Sequence, residues 1–320
     1  MFDVLNKIGE IGILPVLNIE ELSNAVPLAK ALCKGGVQVM EITMRTPIAI
    51  EAIRIIKEEI PEVTVGAGTA LTTEQIDAAI SAGADFVVSP GFNSVTVKHC
   101  LKNNIPIIPG CVTATDLEIG TAMGISVFKF FPAEQMGGLK AIELLSGPFP
   151  KAKFVPTGGL NYELLPKYLS NPKILACGGS YMAGKQLIRD GQWDTIESLC
   201  RKAMKISMGF ELAHIGINHA NEEQGIETAN WFCRAFDLPF DNHRNSVFAG
   251  TAVESLKGKF SGTKGHIGFY TISMYRAIAY LKTKGFEFRE DSVALDENGC
   301  PKWLYFNEEV AGFAIHIVQK

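Results

Sequence analysis

The sequence predicts two domains: an α/β domain over residues 1–206, which is a (β/α)8 barrel of the TIM type, and an α+β domain over residues 207–320. Three observations support this prediction. The chain has 320 residues, more than the ~100–200 of a usual domain. Up to about residue 180, eight short apolar runs alternate with amphipathic helical patterns. Beyond residue 210 the histidines become frequent and a strand–helix phrase repeats.

The eight apolar runs are typical of strands that are buried on both faces of a parallel sheet. They are Ile13–Ile19, Val37–Met44, Val63–Ala70, Phe86–Gly91, Pro106–Thr113, Ser126–Ala133, Lys153–Leu160 and Lys173–Ser180. Eight βα units in this length favour a compact barrel. A doubly wound sheet is the alternative, but it more often has five or six strands and an early glycine-rich loop, whereas the glycine pairs here come late.

Composition excludes several classes of protein. The net charge is −4 and there is no basic tract, which argues against a nucleic-acid partner. No apolar stretch approaches ~18 residues, so no membrane span is predicted. The first residues lack the features of a signal peptide. The 7 cysteines are scattered, without a CxxC pair, which favours a reduced, cytoplasmic protein without disulfides.

In a barrel, the chemistry lies at the carboxyl ends of the strands, and Lys129 interrupts an aromatic run in the sixth of them. A buried ammonium is costly unless it has a partner or loses its charge, and an uncharged lysine can form a Schiff base with a carbonyl substrate. The alternatives are a structural ion pair and an outward-facing lysine. Position alone does not decide between these readings.

Glu41 and Arg45 end the second strand. Glu41 is a candidate general acid/base beside Lys129, and Arg45 a candidate clamp for a substrate carboxylate. A Glu–Arg surface pair is the alternative reading. Glycine pairs end the seventh and eighth strands, at Gly158-Gly159 and Gly178-Gly179, the latter followed by Ser180. Loops after these two strands often hold a phosphate in barrels, because bare backbone N–H groups can approach it closely.

The motifs EITMRT, GAGT, SPG, FKFFPAE, PTGG and GGS follow one another in this order. With them, residues 5–205 resemble the 2-keto-3-deoxy-6-phosphogluconate (KDPG) and 4-hydroxy-2-oxoglutarate (KHG) aldolases. The resemblance implies a Schiff-base lysine and an acid/base, Lys129 and Glu41, and no cofactor. It also implies a substrate site that comprises Arg45, Thr69, Pro90, Phe131, Thr157, Gly158, Gly159, Gly179 and Ser180.

The implied reaction is cleavage of KDPG, a phosphorylated keto acid, to pyruvate and glyceraldehyde 3-phosphate, with KHG cleavage to pyruvate and glyoxylate as a possible second activity. The resemblance also implies a homo-oligomer, by analogy a trimer. Two alternatives stay open at this point. One is an aldolase for the galacto epimer, and the other is a phosphate-binding barrel isomerase in which Lys129 acts through its charge.

The last third of the chain contains an internal repeat. AHIGIN at residues 213–218 recurs as GHIGFY at 265–270, and each phrase opens a βαβββ pattern. Paired modules of this kind resemble the glyoxalase, or vicinal-oxygen-chelate, superfold. The resemblance implies a divalent-metal site made by His214, Glu254, His266 and His316. Such ligands suit Zn²⁺, Ni²⁺, Co²⁺ or Fe²⁺. A non-enzymatic binding or assembly role for this region is the alternative.

Overall fold

The computed structural model describes residues 2–297 and 299–320. The chain divides into two compact units, one ending at Ser207 and the other comprising Met208–Lys320. The sequence places its domain boundary between residues 206 and 207. Among the described residues, no helix has the length and apolar character needed to cross a membrane.

The first unit is a parallel barrel. Its strands are β1 (Ile13–Leu17), β2 (Val39–Thr43), β3 (Thr64–Gly68), β4 (Phe86–Val88), β5 (Ile107–Ile108), β6 (Gly110–Cys111), β7 (Val127–Phe130), β8 (Lys153–Pro156) and β9 (Cys177–Gly179). The hydrogen-bonded orders are β5-β4-β3-β2-β1-β9 and β6-β7-β8. Only Pro109 separates β5 from β6, and a parallel bridge joins Thr157 to Gly178. These two links close the ring. Every predicted apolar run contains a barrel strand, and Pro106–Thr113 contains both β5 and β6, so the barrel prediction is confirmed.

Helices surround the barrel. They are α1 (Phe2–Ile11), α2 (Ala25–Lys34), α3 (Ala49–Glu59), α4 (Thr73–Ser81), α5 (Ser94–Lys102), α6 (Ala114–Ala122), α7 (Gly138–Ser146), α8 (Leu165–Leu169), α9 (Lys185–Arg189) and α10 (Trp193–Met208), with 3-10 turns at Leu22–Asn24 and Glu134–Met136. Thr72 caps the N-terminus of α4, because its side chain accepts a hydrogen bond from the Gln75 N–H. Helix α1, which the sequence pattern does not predict, places Ile8 in the barrel core.

The barrel core explains where the polar side chains point. Val39, Val127 and Val155 belong to one buried cluster, together with Leu14 and Ile108. Side chains two residues apart in a strand lie on the same face. The positions two residues further along β2, β7 and β8 therefore also point into the barrel. They form the next layer toward the carboxyl ends of the strands, where barrel enzymes carry their chemistry.

The second unit is one 8-stranded sheet in the order β11-β12-β13-β10-β14-β17-β16-β15. Its strands are β10 (Glu211–Ile217), β11 (Phe240–Asn242), β12 (Ser246–Ala249), β13 (Val253–Leu256), β14 (Gly265–Thr271), β15 (Ala294–Leu295), β16 (Pro301–Val310) and β17 (Phe313–Gln319); its helices are α11 (Glu222–Phe236) and α12 (Met274–Thr283), with a 3-10 turn at Glu290–Ser292. Each half follows the order βαβββ, so the predicted repeat is confirmed.

The two repeats meet at the centre of this sheet. Strands β10 and β14, which open the repeats, pair antiparallel, while each also pairs in parallel with the last strand of its own module. The sequence pattern also predicts a strand near Phe286–Ala294, and this prediction is wrong. The structure has only a bridge at Phe288 and the start of β15 there, because the polar segment Arg289–Ser292 turns through a 3-10 helix.

Candidate active site and metal centre

Lys129 and Glu41 form a buried pair inside the barrel. The Lys129 Nζ donates hydrogen bonds to Oε1 and Oε2 of Glu41 at 2.9 and 3.3 Å. Lys129 is 6% exposed and Glu41 is fully buried. Their positions follow from the strand alternation, since Glu41 comes two residues after Val39 and Lys129 two after Val127. Of the two readings left open for Glu41, a surface pair with Arg45 is therefore wrong.

A cavity of about 750 Å³ opens at the carboxyl ends of the strands and reaches Lys129. This volume suits a small metabolite. Its walls include these predicted site residues: Arg45, Phe131, Thr157, Gly158, Gly159, Gly179 and Ser180. The structure thus brings most of the predicted substrate site to one cavity, and Lys129 of the buried pair is among its lining residues.

Thr69 and Pro90 are placed differently, because neither belongs to the cavity lining. Thr69 follows β3 with a φ of 56°, a backbone region that β-branched residues rarely adopt. The carbonyl of Pro90 packs against Gly110 of the neighbouring strand. Their contribution to substrate binding stays a prediction.

The Gly158-Gly159 loop has a backbone that glycine favours, with φ values of 99° and 81°. The FKFFPAE segment holds this loop in place. The Ala133 N–H donates to the Thr157 carbonyl at 2.8 Å, and the Glu134 N–H donates to the Gly158 carbonyl at 3.2 Å. Glu134 in turn accepts a hydrogen bond from the Tyr168 hydroxyl. The motif that carries the lysine therefore also positions the glycine loop.

Sequence reasoning misses the end of the first strand. Val16, Leu17, Asn18 and Glu20 line the cavity. The available signal is the polar pair Asn18 and Glu20 directly after an apolar run. Glu20 bonds to Lys185, which lines the same cavity, and to Arg189 at 3.3 Å. These hydrogen bonds lower the pKa of the Glu20 carboxyl, with that from Lys185 the larger.

Gly68 is a second residue whose role the sequence does not reveal. A methyl group at this position would lie 2.5 Å from Cγ of Glu41, closer than side chains pack. The glycine of the GAGT motif thus leaves room for the Glu41 side chain on the neighbouring strand. Its physical role becomes visible only when β2 and β3 are placed side by side.

The second unit brings the four predicted metal ligands together. The His214 Nε2 lies 3.0 Å from the His266 Nε2 and 3.3 Å from the His316 Nε2. Oε2 of Glu254 lies 3.0 Å from the His266 Nε2 and 3.5 Å from the His214 Nε2. Ligand atoms that lie about 2.0–2.1 Å from a tetrahedral ion are ~3.3 Å from one another. The three imidazole nitrogens lie within 4.8 Å of one another, as the ligands of one ion must, and Glu254 contacts two of them.

The surroundings of His214 and His316 favour neutral imidazoles. Burial lowers the pKa of His316 to about 3, and burial likewise lowers the pKa of His214. Burial opposes ionisation of Glu254, but hydrogen bonds with His266 and Ser246 outweigh it, so the pKa of Glu254 is lowered. Neutral imidazoles and an ionised carboxylate are the protonation states that bind a divalent ion.

The barrel site defines a class of protein: a parallel barrel with a buried lysine–glutamate pair beside a glycine-lined cavity at the carboxyl ends of its strands. The family of KDPG and KHG aldolases matches residues 4–199. The chain belongs to this family.

The chain is similar to a 2-dehydro-3-deoxy-phosphogluconate aldolase of Treponema pallidum, with 45% identity over 206 residues, 64% of this chain and 98% of the relative. A Legionella pneumophila KDPG aldolase structure, with pyruvate captured as a covalent carbinolamine, has a TM-score of 0.61, 38% identity, and coverage of 62% of this chain and 97% of its own. A Zymomonas mobilis aldolase structure with 3-phosphoglycerate has a TM-score of 0.60, 40% identity, and coverage of 64% and 97%.

Proposed function

We propose that the barrel is a class I aldolase that cleaves KDPG to pyruvate and glyceraldehyde 3-phosphate. The observation that carries this proposal is the buried Lys129–Glu41 pair, with Nζ 2.9 Å from Oε1, beside a cavity that Lys129, Gly158, Gly159 and Gly179 line. The family to which the chain belongs, and the pyruvate carbinolamine captured in the Legionella relative, support the same chemistry.

The reaction follows from these groups. The Lys129 amine adds to the C2 ketone of the substrate, and loss of water from the carbinolamine gives a protonated imine. The C4 hydroxyl then loses its proton, the C3–C4 bond breaks, and its electron pair moves into the imine to give an enamine and the aldehyde. Protonation at C3 and addition of water release pyruvate and restore the amine. Glu41 lies within reach of Nζ and moves these protons, directly or through a water molecule.

The remaining predicted residues bind the two ends of the substrate. Arg45 is exposed at the cavity wall, where its guanidinium can hold the carboxylate in bidentate geometry. Gly158, Gly159, Gly179 and Ser180 offer a phosphate backbone N–H groups with little side-chain obstruction. KHG presents a carboxylate in place of the phosphate. We therefore expect KDPG to have the higher kcat/KM, and a comparison of KDPG, its galacto epimer and KHG measures this preference.

Borohydride trapping tests the lysine. Wild type incubated with pyruvate and borohydride gains a covalent adduct of ~72 Da, and Lys129→Met does not. Lys153→Met is the matched control, because Lys153 is exposed on the adjacent strand β8. Absence of an adduct in wild type would overturn the Schiff-base proposal and favour the isomerase in which Lys129 acts through its charge.

For the second unit, we propose a divalent-metal site formed by His214, Glu254, His266 and His316. The mutual proximity of the three imidazoles and the contacts of Glu254 with His266 and His214 support it, as does the resemblance of the repeat to glyoxalase-type modules. A bound ion would supply a Lewis acid for an oxygen ligand. Zn²⁺, Ni²⁺, Co²⁺ or Fe²⁺ at one ion per full-length chain is the expected metal content. Absence of stoichiometric metal at saturating supply would favour the binding or assembly role.

We also propose that the chain forms a homo-oligomer, which by analogy with the family is a trimer. Light scattering coupled to size-exclusion chromatography measures the mass of the assembly. A monomer at micromolar concentration would contradict this proposal.

A further inference from the structure

We infer that Gly216 and Gly268 are positioning residues for the metal centre. Their missing side chains create the space in which the four ligands converge, so the functional unit of each repeat is His-Ile-Gly rather than the histidine alone. This inference rests on the metal site proposed above. It assigns a physical role to the glycines in the phrases AHIGIN and GHIGFY.

The register of the sheet places each glycine between two ligands. Gly216 of β10 pairs with Glu254 on one side and with His266 on the other. Gly268 of β14 pairs with His214 on one side and with His316 on the other. Directly paired residues of neighbouring strands share one face of a sheet. The four ligands therefore lie on the same face as the two glycines, in two rows of three.

A side chain at either glycine would occupy the space of the imidazoles. A methyl group on Gly216 would lie 2.5 and 2.6 Å from Nε2 and Nδ1 of His266. A methyl group on Gly268 would lie 2.6 Å from the His316 Nε2 and 2.8 Å from Cε1 of His214. Such separations are far shorter than van der Waals contact, ~3.5 Å between carbon atoms. Alanine at Gly216 would thus displace one ligand, and alanine at Gly268 would displace two.

The rings have little room to move aside. His266 and His316 are each 5% exposed, and His316 stacks on the Tyr305 ring at a centroid distance of 4.6 Å and an angle of 13°. The Tyr305 ring also lies edge-on to His266, at 6.2 Å. In a close-packed interior, an added methyl forces side chains out of their preferred rotamers. The ligand atoms would then no longer converge at one point.

The test is a Co²⁺ titration of full-length Gly216→Ala and Gly268→Ala, followed by the visible absorption of the bound ion. We expect the affinity to fall by about 100-fold or more, the upper end of what indirect ligand positioning is worth. Gly258→Ala is the matched control, because the nearest atom to its added methyl is 3.8 Å away. Circular dichroism of the metal-free proteins establishes that each variant is folded. If Gly268→Ala does not fold, Gly216→Ala, which disturbs one ring, carries the test.

The possible results separate this inference from the proposal on which it rests. Binding by wild type and Gly258→Ala, with loss in the folded variants at 216 and 268, supports the inference. Wild-type affinity in folded Gly216→Ala and Gly268→Ala overturns the inference and leaves the metal centre standing. Failure of wild type itself to bind Co²⁺ or Zn²⁺ overturns both.

Discussion

The barrel and the eight-stranded sheet build their sites in opposite ways. Glu41, Lys129 and the Gly158-Gly159 loop come from three distant parts of the chain, and the barrel brings them together at the ends of its strands. In the sheet, the four candidate ligands lie on the faces of neighbouring strands and are related by an internal repeat. A site at strand ends depends on the conformation of the loops there. A site on a sheet face depends on the register of the paired strands and on the room that neighbouring residues leave for its side chains.

The two sites also differ in the charge that they carry. The barrel holds its own cation, Lys129, next to a buried carboxylate. The sheet places the His214 Nε2 within 3.3 Å of the Nε2 atoms of His266 and His316, and the Glu254 carboxylate 3.0 Å from the His266 Nε2. The first arrangement suits covalent chemistry by the protein itself, and the second suits an ion supplied from outside. This contrast can be tested at each site separately.

The largest expected effect is that of Glu41→Gln in the barrel. Gln cannot take up a proton, so we expect kcat to fall by about 10²–10⁴-fold, the usual contribution of general acid/base catalysis. Steady-state cleavage of KDPG and exchange of the pyruvate methyl protons with deuterium measure the loss. Glu62→Gln, at an exposed position before β3, is the control. A Glu41→Gln enzyme within twofold of wild type would remove Glu41 from the mechanism.

Metal removal tests whether the sites are independent. At a metal concentration of about 1,000 times Kd, binding stabilises the folded unit by ~4 kcal/mol, so chelation should lower its unfolding midpoint by about 10 °C or more. The residues that line the barrel cavity include none of the four candidate ligands, so aldolase kcat/KM should not change. His266→Ala should remove the effect of chelation. Loss of aldolase activity in parallel with loss of the metal would show that the two sites are not independent.

Gly158→Ala tests the dependence of the barrel site on loop conformation. A side chain at a φ of 99° is strained, and the added methyl would lie 3.3 Å from Cα of Pro132. We expect kcat/KM for KDPG to fall by about 10-fold, from a strain of ~1–2 kcal/mol at the phosphate loop, with a smaller loss for KHG. Gly124→Ala is a close control, because its φ is 86° and nothing surrounds the added methyl. Equal losses for both substrates would contradict the phosphate role.

The smallest expected effect is that of Lys185→Met at the cavity rim. Lys185 is 58% exposed and bonded to Glu20, so its loss should raise KM for KDPG only about 2–5-fold, and less at high salt. Arg189→Met provides the comparison, since Arg189 contacts the same carboxylate but does not line this cavity. Equal KM values in the two variants would show that Lys185 acts only through its ion pair.

The sequence by itself determined the eight barrel strands and the internal repeat, because each follows from a local pattern. Apolar runs mark strands that are covered on both faces, and a lysine within such a run must point into a packed layer or out of it. Two of the candidate ligands, His214 and His266, were found in the same way from two matching phrases, and the resemblance to a known superfold added Glu254 and His316. Resemblance to known families then implied chemical roles for the residues at these positions.

Only the tertiary structure decided which side chains meet. It paired Glu41 with Lys129 rather than Arg45, added the end of β1 to the cavity, and replaced a predicted strand by the turn at Glu290–Ser292. It also showed that Gly68, Gly216 and Gly268 leave room for side chains of the neighbouring strands. The physical reason is that alternation sets the face on which a residue lies, whereas contact between faces depends on the register of strands far apart in the chain.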